Sequence, residues 1–486
     1  MSQLLSAEEL LGLLAGWERR RGPRYVALAD AIQEAVHREE LEDGTRLPPE
    51  RALAALARLG RGTVVAAYAE LSERGVVERR QGSGTRLTTG IAPSGARTLR
   101  ASMFGRAVQD DDGLIDLSFG APWFDEHTPA LMGSAAQAIE FGAPPRGYAP
   151  LGLPGLRSAV AERLTARQTP TTDRQIVITT GSQGAIQLLT TALVRRGDRV
   201  VVEAPTYPGA MELFSRAGAV VVAVRRDHAG PRPDDLARAL GGPGAALVFL
   251  VATCSYPTGA IMSEHRRREI LACCAEHDVL VVDDQTPADL VFEGEAPPSL
   301  VSMAPDRVVA LGSFSKVLWG GLRTGWLRAD PGLILRLGRL KAAQDLGSGM
   351  LDQAAVVRAL PGYDETAAAR RVQARERYEV LAAALRAEIP EWDFEEPRGG
   401  WSLWVRLPHP CADEMCAAAA RRGVAIATGS NTAPDDLFLD HIRLCFPAEP
   451  HQLEEAVRRL RLAWEDVQRA GDLEAAVPAR AGFTAP

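Results

Sequence analysis

Two hydrophobic periodicities divide this chain into a small helical unit ending in a β-hairpin and a much larger α/β unit on a mostly parallel sheet. Helical spacing dominates the first ninety residues, whereas from residue 114 short β-branched runs alternate with helical stretches. A length of 486 residues leaves room for about three structural units of roughly 150 residues each. With 46% hydrophobic and 24% charged residues the chain can bury large cores, which excludes a disordered protein. No apolar run approaches the length of a membrane span. The N-terminus places acids inside its apolar stretch and a basic cluster after it, the reverse of a secretion signal. Six cysteines (Cys254, Cys273, Cys274, Cys411, Cys416, Cys445) form no zinc-type pairs and are too sparse for a disulfide scaffold. The expectation is a cytoplasmic protein with reduced thiols, no membrane partner and no metal.

In the first unit Tyr25, Leu28, Ala29, Ile32 and Val36 recur at helical spacing. The turn EDGTRLPPE follows, then a short helix from about Glu50 to Arg58, a second turn at Leu59 and Gly60, and a third helix over 61–74. VVERR and GTRLT read as strands joined by Gln81, Gly82, Ser83 and Gly84. This order predicts a winged helix-turn-helix over 20–90. The whole chain is acidic, with a formal net charge of −7, yet residues 46–86 hold eight arginines against four acids. Local basicity on a recognition helix and wing is what contact with phosphates requires.

Residues 91–113 lack sustained periodicity, hold Pro and Gly, and end in an acid run, as a linker does. From 114 to about 470, IVITTG, VVVEAP, VVVAV, ALVFLVA, VLVVDD and VVALGSF are strand candidates. Several are continuous apolar runs, the mark of strands buried on both faces. No GxGxxG follows the first of them, which disfavours a dinucleotide-binding reductase.

Lysine usage directs attention to the chemistry. Among 55 basic residues only Lys316 and Lys341 are lysines. Arginine cannot lose its proton or form an imine, so a lysine in so arginine-rich a chain marks a position where an amine is needed. Lys316 lies in GSFSKVLWGGLRTGW. VVDDQ ends a strand in two carboxylates, and TTGSQGAIQLL runs from a strand through glycine into a helix, whose first amides suit a phosphate.

The stretch from LEDGTRLPPE to GSGTRL resembles the GntR-type winged helix, and GSFSK resembles the cofactor-lysine motif of fold-type I pyridoxal-phosphate (PLP) enzymes of the aspartate aminotransferase group. Both halves in this order resemble MocR-type regulators over about 90% of the chain. The resemblance implies a GntR-type winged helix-turn-helix followed by aminotransferase-like large and small domains (114–470, the small-domain portion about 399–470). It implies PLP on Lys316 as a Schiff base, with Ser182, Gln183, Ser313 and Arg323 around the phosphate. Tyr207 would stack on the pyridine ring, and Tyr148 would reach a neighbouring subunit's phosphate in a homodimer. Asp283 would pair with the ring nitrogen, Asp284 being the alternative. Tyr256, in CSYPTGA, stands at the asparagine position of an NPTG motif, and Arg443 would hold an effector carboxylate. Operator DNA would be met by Arg51, Arg61, Thr63, Gln81 and Gly82. Two departures stand out. Gly60-Arg61-Gly62-Thr63 replaces Ser-Arg-Thr-Thr, and Gln285 replaces a tyrosine near the cofactor's 3′-oxygen, where an amide supplies no phenolate. The expected function is regulation of transcription with PLP, or its aldimine with an amino compound, as the sensed ligand and weak or no transaminase activity. The alternative is an active aminotransferase with an accessory DNA-binding domain.

Overall fold

The computed structural model describes residues 5–14, 17, 24–37, 41, 45–57, 59–73, 76–80, 84–87, 113–123, 128–129, 132–133, 135, 144–242, 244–434 and 437–476. These fall into two compact units, residues 1–105 and 106–486. Gln81, Gly82 and nearly all of the expected linker lie outside the described residues.

The first unit begins with a helix absent from the expectations above, α1 (Ala7–Leu13). Ser6 caps it: its hydroxyl accepts from the Glu9 amide at 3.2 Å while the Glu9 carboxylate accepts from the Ser6 amide at 2.8 Å. This reciprocal pair satisfies two donors that a helix start leaves open. Then follow α2 (Arg24–His37), α3 (Glu50–Leu56), α4 (Arg61–Glu73) and the hairpin strands β1 (Val77–Arg80) and β2 (Gly84–Leu87). Leu10, Leu28, Ile32, Leu53, Val64, Tyr68 and Leu71 are buried together, so all four helices share one core. The Tyr68 hydroxyl donates to the Pro48 carbonyl at 2.8 Å, tying α4 to the turn before α3. In the wing Val77 pairs with Leu87 and Arg80 with Gly84. Arg51 and Arg61 stay exposed at the starts of α3 and α4, with Thr63 half-buried in the first turn of α4.

The second unit is built on an eight-stranded sheet. In chain order its strands are β3 (Ile176–Thr179), β4 (Arg199–Ala204), β5 (Val220–Asp227), β6 (Gly230–Pro231), β7 (Ala245–Leu250), β8 (Leu280–Asp284), β9 (Val308–Ser313) and β10 (Gly325–Arg328). In space they run β3-β10-β9-β8-β7-β4-β5-β6. β4, β5, β7, β8 and β9 are parallel to their neighbours in that set, while β10 lies antiparallel between β3 and β9. The six anticipated strands are all present, and two are additional: the short edge strand β6 and β10, which begins at the end of the lysine motif. Its position matters. Because β10 returns antiparallel beside β9, Gly325 sits opposite both Ser313 and Thr179. The lysine loop and the start of the helix after β3, α5 (Gly181–Leu193), therefore meet at one end of the sheet. That end carries the carboxyl termini of the parallel strands, where open α/β sheets bind ligands.

A smaller antiparallel sheet joins Asp393–Phe394, Ser402–Arg406, His441–Cys445 and Ala427–Thr428. Helices Tyr363–Glu388 and Pro450–Ala476 pack beside it, with Trp392 and Trp464 in edge contact at 5.9 Å. Ile115–Asp116 pairs in parallel with Val424–Ala425 as a separate two-stranded sheet. Among the described residues no helix is long and apolar enough to cross a membrane, and no group of three metal-ligating side chains occurs.

Candidate functional site

Glycines let the backbone converge on the sheet end. Gly181 has φ +67°, and a Cβ there would stand 2.7 Å from the Arg323 guanidinium. A Cβ on Gly325 would come 2.6 Å from the carbonyl carbon of Gly181. Larger residues at either position would fill this cradle. Arg323 itself adopts φ +44° and donates through Nη2 to the Thr180 carbonyl at 3.1 Å. That left-handed turn folds its guanidinium back over the first turn of α5, where Ser182 and Gln183 lie. The opening amides of a helix have no carbonyl within it to bond, and the helix dipole favours an anion there. Ser313 adds a hydroxyl, 3.0 Å from that of Ser315. Amides, hydroxyls and a guanidinium at a glycine-shaped helix start are the donor set a phosphate needs.

Lys316 follows on the same loop. Its Nζ donates to the Gly120 carbonyl at 2.5 Å, and the Trp401 indole N–H holds the Lys316 carbonyl at 3.0 Å. Burial pushes the Lys316 amine below the ordinary lysine range, with Arg323 adding to the effect and Cys445 and Asp284 opposing it. An amine closer to neutrality is a better nucleophile.

The two strand-end carboxylates point to opposite faces of the sheet, as successive strand residues must. Asp284 shares its face with Val282, which packs with α5 residues Ala185, Ile186 and Leu189. It lies within electrostatic reach of Lys316 and Tyr207. Burial pushes its carboxyl up to about 6, against bonds from Thr286, whose amide donates at 2.9 Å. Asp283 faces the other way. It accepts from the Gln285 side chain at 2.9 Å and from the backbone of Leu300 and Val301, with Arg267 nearby. Gln285 thus turns onto Asp283 and toward a small cavity lined by Arg163, Asp289 and Tyr363, and not onto the Lys316 side. The pair expected at the cofactor, Asp283 and Gln285, stands on the face away from Lys316, and Asp284 takes the facing position.

Tyr207 and Tyr256 meet edge to face at 5.5 Å, and the Arg443 guanidinium lies over the Tyr256 ring, 4.8 Å from its centroid. Burial raises the Tyr207 phenol above its ordinary range. Arg443 is buried and donates to the Ser118 carbonyl. Tyr148 is exposed on the loop before the helix Pro154–Ala166. Sequence reasoning missed the carbonyls of Ser118 and Gly120. A backbone acceptor leaves no compositional signal, although Gly120 carries one of steric origin: a Cβ there would stand 3.2 Å from Trp401 and 3.3 Å from the Cys445 sulfur.

Comparisons with known proteins agree with this architecture. Residues 112–460 match the family described as aminotransferase class I and II, and residues 24–87 match bacterial regulatory proteins of the gntR family. The chain therefore belongs to the class I and II aminotransferase family, in the MocR-type branch that carries a GntR winged helix ahead of the fold-type I domain. The probable rhizopine catabolism regulatory protein MocR of Rhizobium meliloti is 27% identical over 481 residues, 93% of this chain and 96% of that protein. The 2-aminoadipate transaminase of Thermus thermophilus is 31% identical over 326 residues, 65% of this chain and 80% of that enzyme. Among solved structures, the α-aminoadipate aminotransferase LysN of Thermus thermophilus, complexed with N-(5′-phosphopyridoxyl)-L-leucine, superposes with a TM-score of 0.71 at 28% identity. That match covers 78% of this chain and 98% of LysN. Homology of this kind implies a PLP site in the fold.

Proposed function

We propose that the protein is a transcriptional regulator that binds operator DNA through residues 20–90 and senses PLP, or PLP carrying an amino compound, in its aminotransferase-like domain. The observation that carries the reading is one chain holding two things: a buried, pKa-lowered Lys316 beside an anion cradle, and a winged helix with Arg51 and Arg61 exposed at two helix starts. PLP bound there supplies an electrophilic aldehyde and a ring nitrogen whose protonated form draws electrons. Lys316 would be the residue to take the aldehyde, Ser182, Gln183, Ser313 and Arg323 would hold the phosphate, and Asp284, in place of Asp283, would pair with the ring nitrogen. Tyr207 would pack on the ring, and Arg443 beside Tyr256 would orient an effector carboxylate. Tyr148, exposed, serves the phosphate of a second copy in a cytoplasmic homodimer.

Weak or absent transaminase activity belongs to the same reading. Counting two residues on from Asp284 arrives at Thr286, which, like Gln285, has no phenol to offer the cofactor's 3′-oxygen. The active-aminotransferase alternative has support of its own in the transaminases among the relatives. Absorbance during incubation with amino acids separates the two, because conversion to pyridoxamine phosphate marks half-transamination.

The direct test titrates operator DNA, identified by mapping genomic binding sites, into PLP-free and PLP-loaded protein at one salt concentration. A coupling of ordinary size changes operator affinity by roughly 5- to 150-fold. Equal affinity in both states would leave the enzyme reading ahead. Within the winged helix, Arg61→Ala is expected to cost about 1–3 kcal/mol of specific binding if the side chain reads a base edge. An equal loss on operator and random DNA would reduce its role to a phosphate contact.

A further inference from the structure

The segment Ile115–Gly120 lies in the first described stretch after residues 88–112, which separate that stretch in sequence from the winged helix. It is laid against the site as a strap. The Ile115 and Leu117 amides donate to the Gly423 and Ala425 carbonyls at 3.0 and 2.8 Å, and the Cys445 amide donates to the Leu117 carbonyl at 2.7 Å. Asp116 shapes its bend by accepting from both the amide and the hydroxyl of Ser118. Its last two anchors are side chains of the site: Arg443 on the Ser118 carbonyl and Lys316 on the Gly120 carbonyl.

The Lys316 anchor depends on chemistry. A free lysine amine has N–H bonds to donate; a lysine linked to PLP would have lost two hydrogens as water, and the one proton its imine nitrogen can keep would be drawn to the cofactor's own 3′-oxygen, leaving none to spare for Gly120. We propose that the strap Ile115–Gly120 reads the state of Lys316, being held when the amine is free and loosened when Lys316 is linked to PLP. The inference rests on the proposed PLP-sensing function and gives it a moving part. An arriving amino compound displaces Lys316 from the cofactor carbon. The carbon–nitrogen link to the lysine breaks as that to the compound forms, and the compound's two amine hydrogens end on Lys316. The freed amine then retakes the Gly120 carbonyl. PLP alone and PLP carrying an amino compound thereby leave different signatures in the residues that lead toward the DNA-binding unit. A simple occupancy sensor would not distinguish the two.

Hydrogen–deuterium exchange on the full chain tests this in three states: without PLP, with PLP, and with N-(5′-phosphopyridoxyl)-L-leucine, which fills a cofactor site while leaving the lysine free. Loss of one anchoring hydrogen bond is expected to speed exchange at Ile115 and Leu117 roughly three- to tenfold with PLP alone. Exchange with the phosphopyridoxyl compound should match or fall below the PLP-free rate. Asp116→Asn, which weakens the bend outside the cofactor site, should raise exchange in all three states and reduce their differences. Gly120→Ala should do the same by pushing the strap from Trp401 and Cys445. Equal exchange in all three states of the wild type, with visible absorbance showing that PLP is linked to Lys316, would overturn the strap alone. Absence of that absorbance would instead overturn the PLP reading on which the strap depends.

Discussion

Lys316→Ala is expected to abolish, not merely reduce, the visible absorbance that the wild-type chain gains with PLP. The loss should be complete because no second amine can stand in. The one other lysine, Lys341, is buried on the helix Pro331–Asp345 and bonded to the Asp345 carboxylate at 2.6 Å. It occupies an ion pair one helical turn long, where its charge is used. Lys316→Arg should fail equally, since guanidinium keeps its proton and forms no link to an aldehyde. Some non-covalent retention is expected to survive in both variants through the proposed phosphate cradle at Gly181, Ser313 and Arg323, which neither substitution touches. The measurement is borohydride reduction of PLP-treated protein followed by peptide mapping. The pyridoxyl group should appear on the peptide containing Lys316 and on none in the variants. A label on Lys341 in the wild type would refute the assignment.

What was legible in the sequence follows from what each element depends on. The strands β3, β4, β7, β8 and β9 announce themselves as runs of Val, Ile, Leu and Ala because most of their residues are buried, whereas β5, near the sheet edge, keeps the apolar run Val220–Val224 with only Val224 buried. β10 does not. Its four residues, GWLR, lie among loop glycines, and they form a strand because β3 and β9 leave a gap that an antiparallel partner fills. Only the tertiary fold contains that information. α1 was readable, since Ser6 and Glu9 stand at the spacing of a capping box, but seven residues carry too little periodicity to compete with reading the segment as a terminus. At the site, the glycine, serine and lysine motifs named Gly181, Ser313 and Lys316, which the fold brings to one end of the sheet. The choice between Asp283 and Asp284 was not decidable that way. A strand sends neighbours to opposite faces, so the answer depends on which face carries α5, and a shift of one residue reverses it.

Asp284→Asn provides the sharpest test of that reversal, because its effect should change sign with the cofactor. In the PLP-free chain burial holds the Asp284 carboxyl at about 6, well above its unperturbed value of 3.8. Between those values the folded chain keeps a proton that the unfolded chain has released. The contribution of Asp284 to stability must then fall as pH rises through that window and level off above about 6, by an amount on the order of 3 kcal/mol. Asparagine has the shape of the protonated acid and carries no charge to bury. PLP-free Asp284→Asn should therefore match the wild type near pH 4 and melt at a higher temperature at pH 8. With PLP bound the order should invert. A protonated ring nitrogen held by Asp284 would add a directly bonded cation to its Thr286 bonds, and the wild type should gain melting temperature at pH 8 while the variant gains little. Asp283→Asn should show neither the crossover nor a loss of PLP affinity, because Asp283 is engaged by Gln285 and the Leu300 and Val301 backbone on the opposite face. Thermal melts of the three proteins at pH 4 and pH 8, with and without PLP, decide the matter. A crossover that followed Asp283 and spared Asp284 would return the ring-nitrogen role to Asp283.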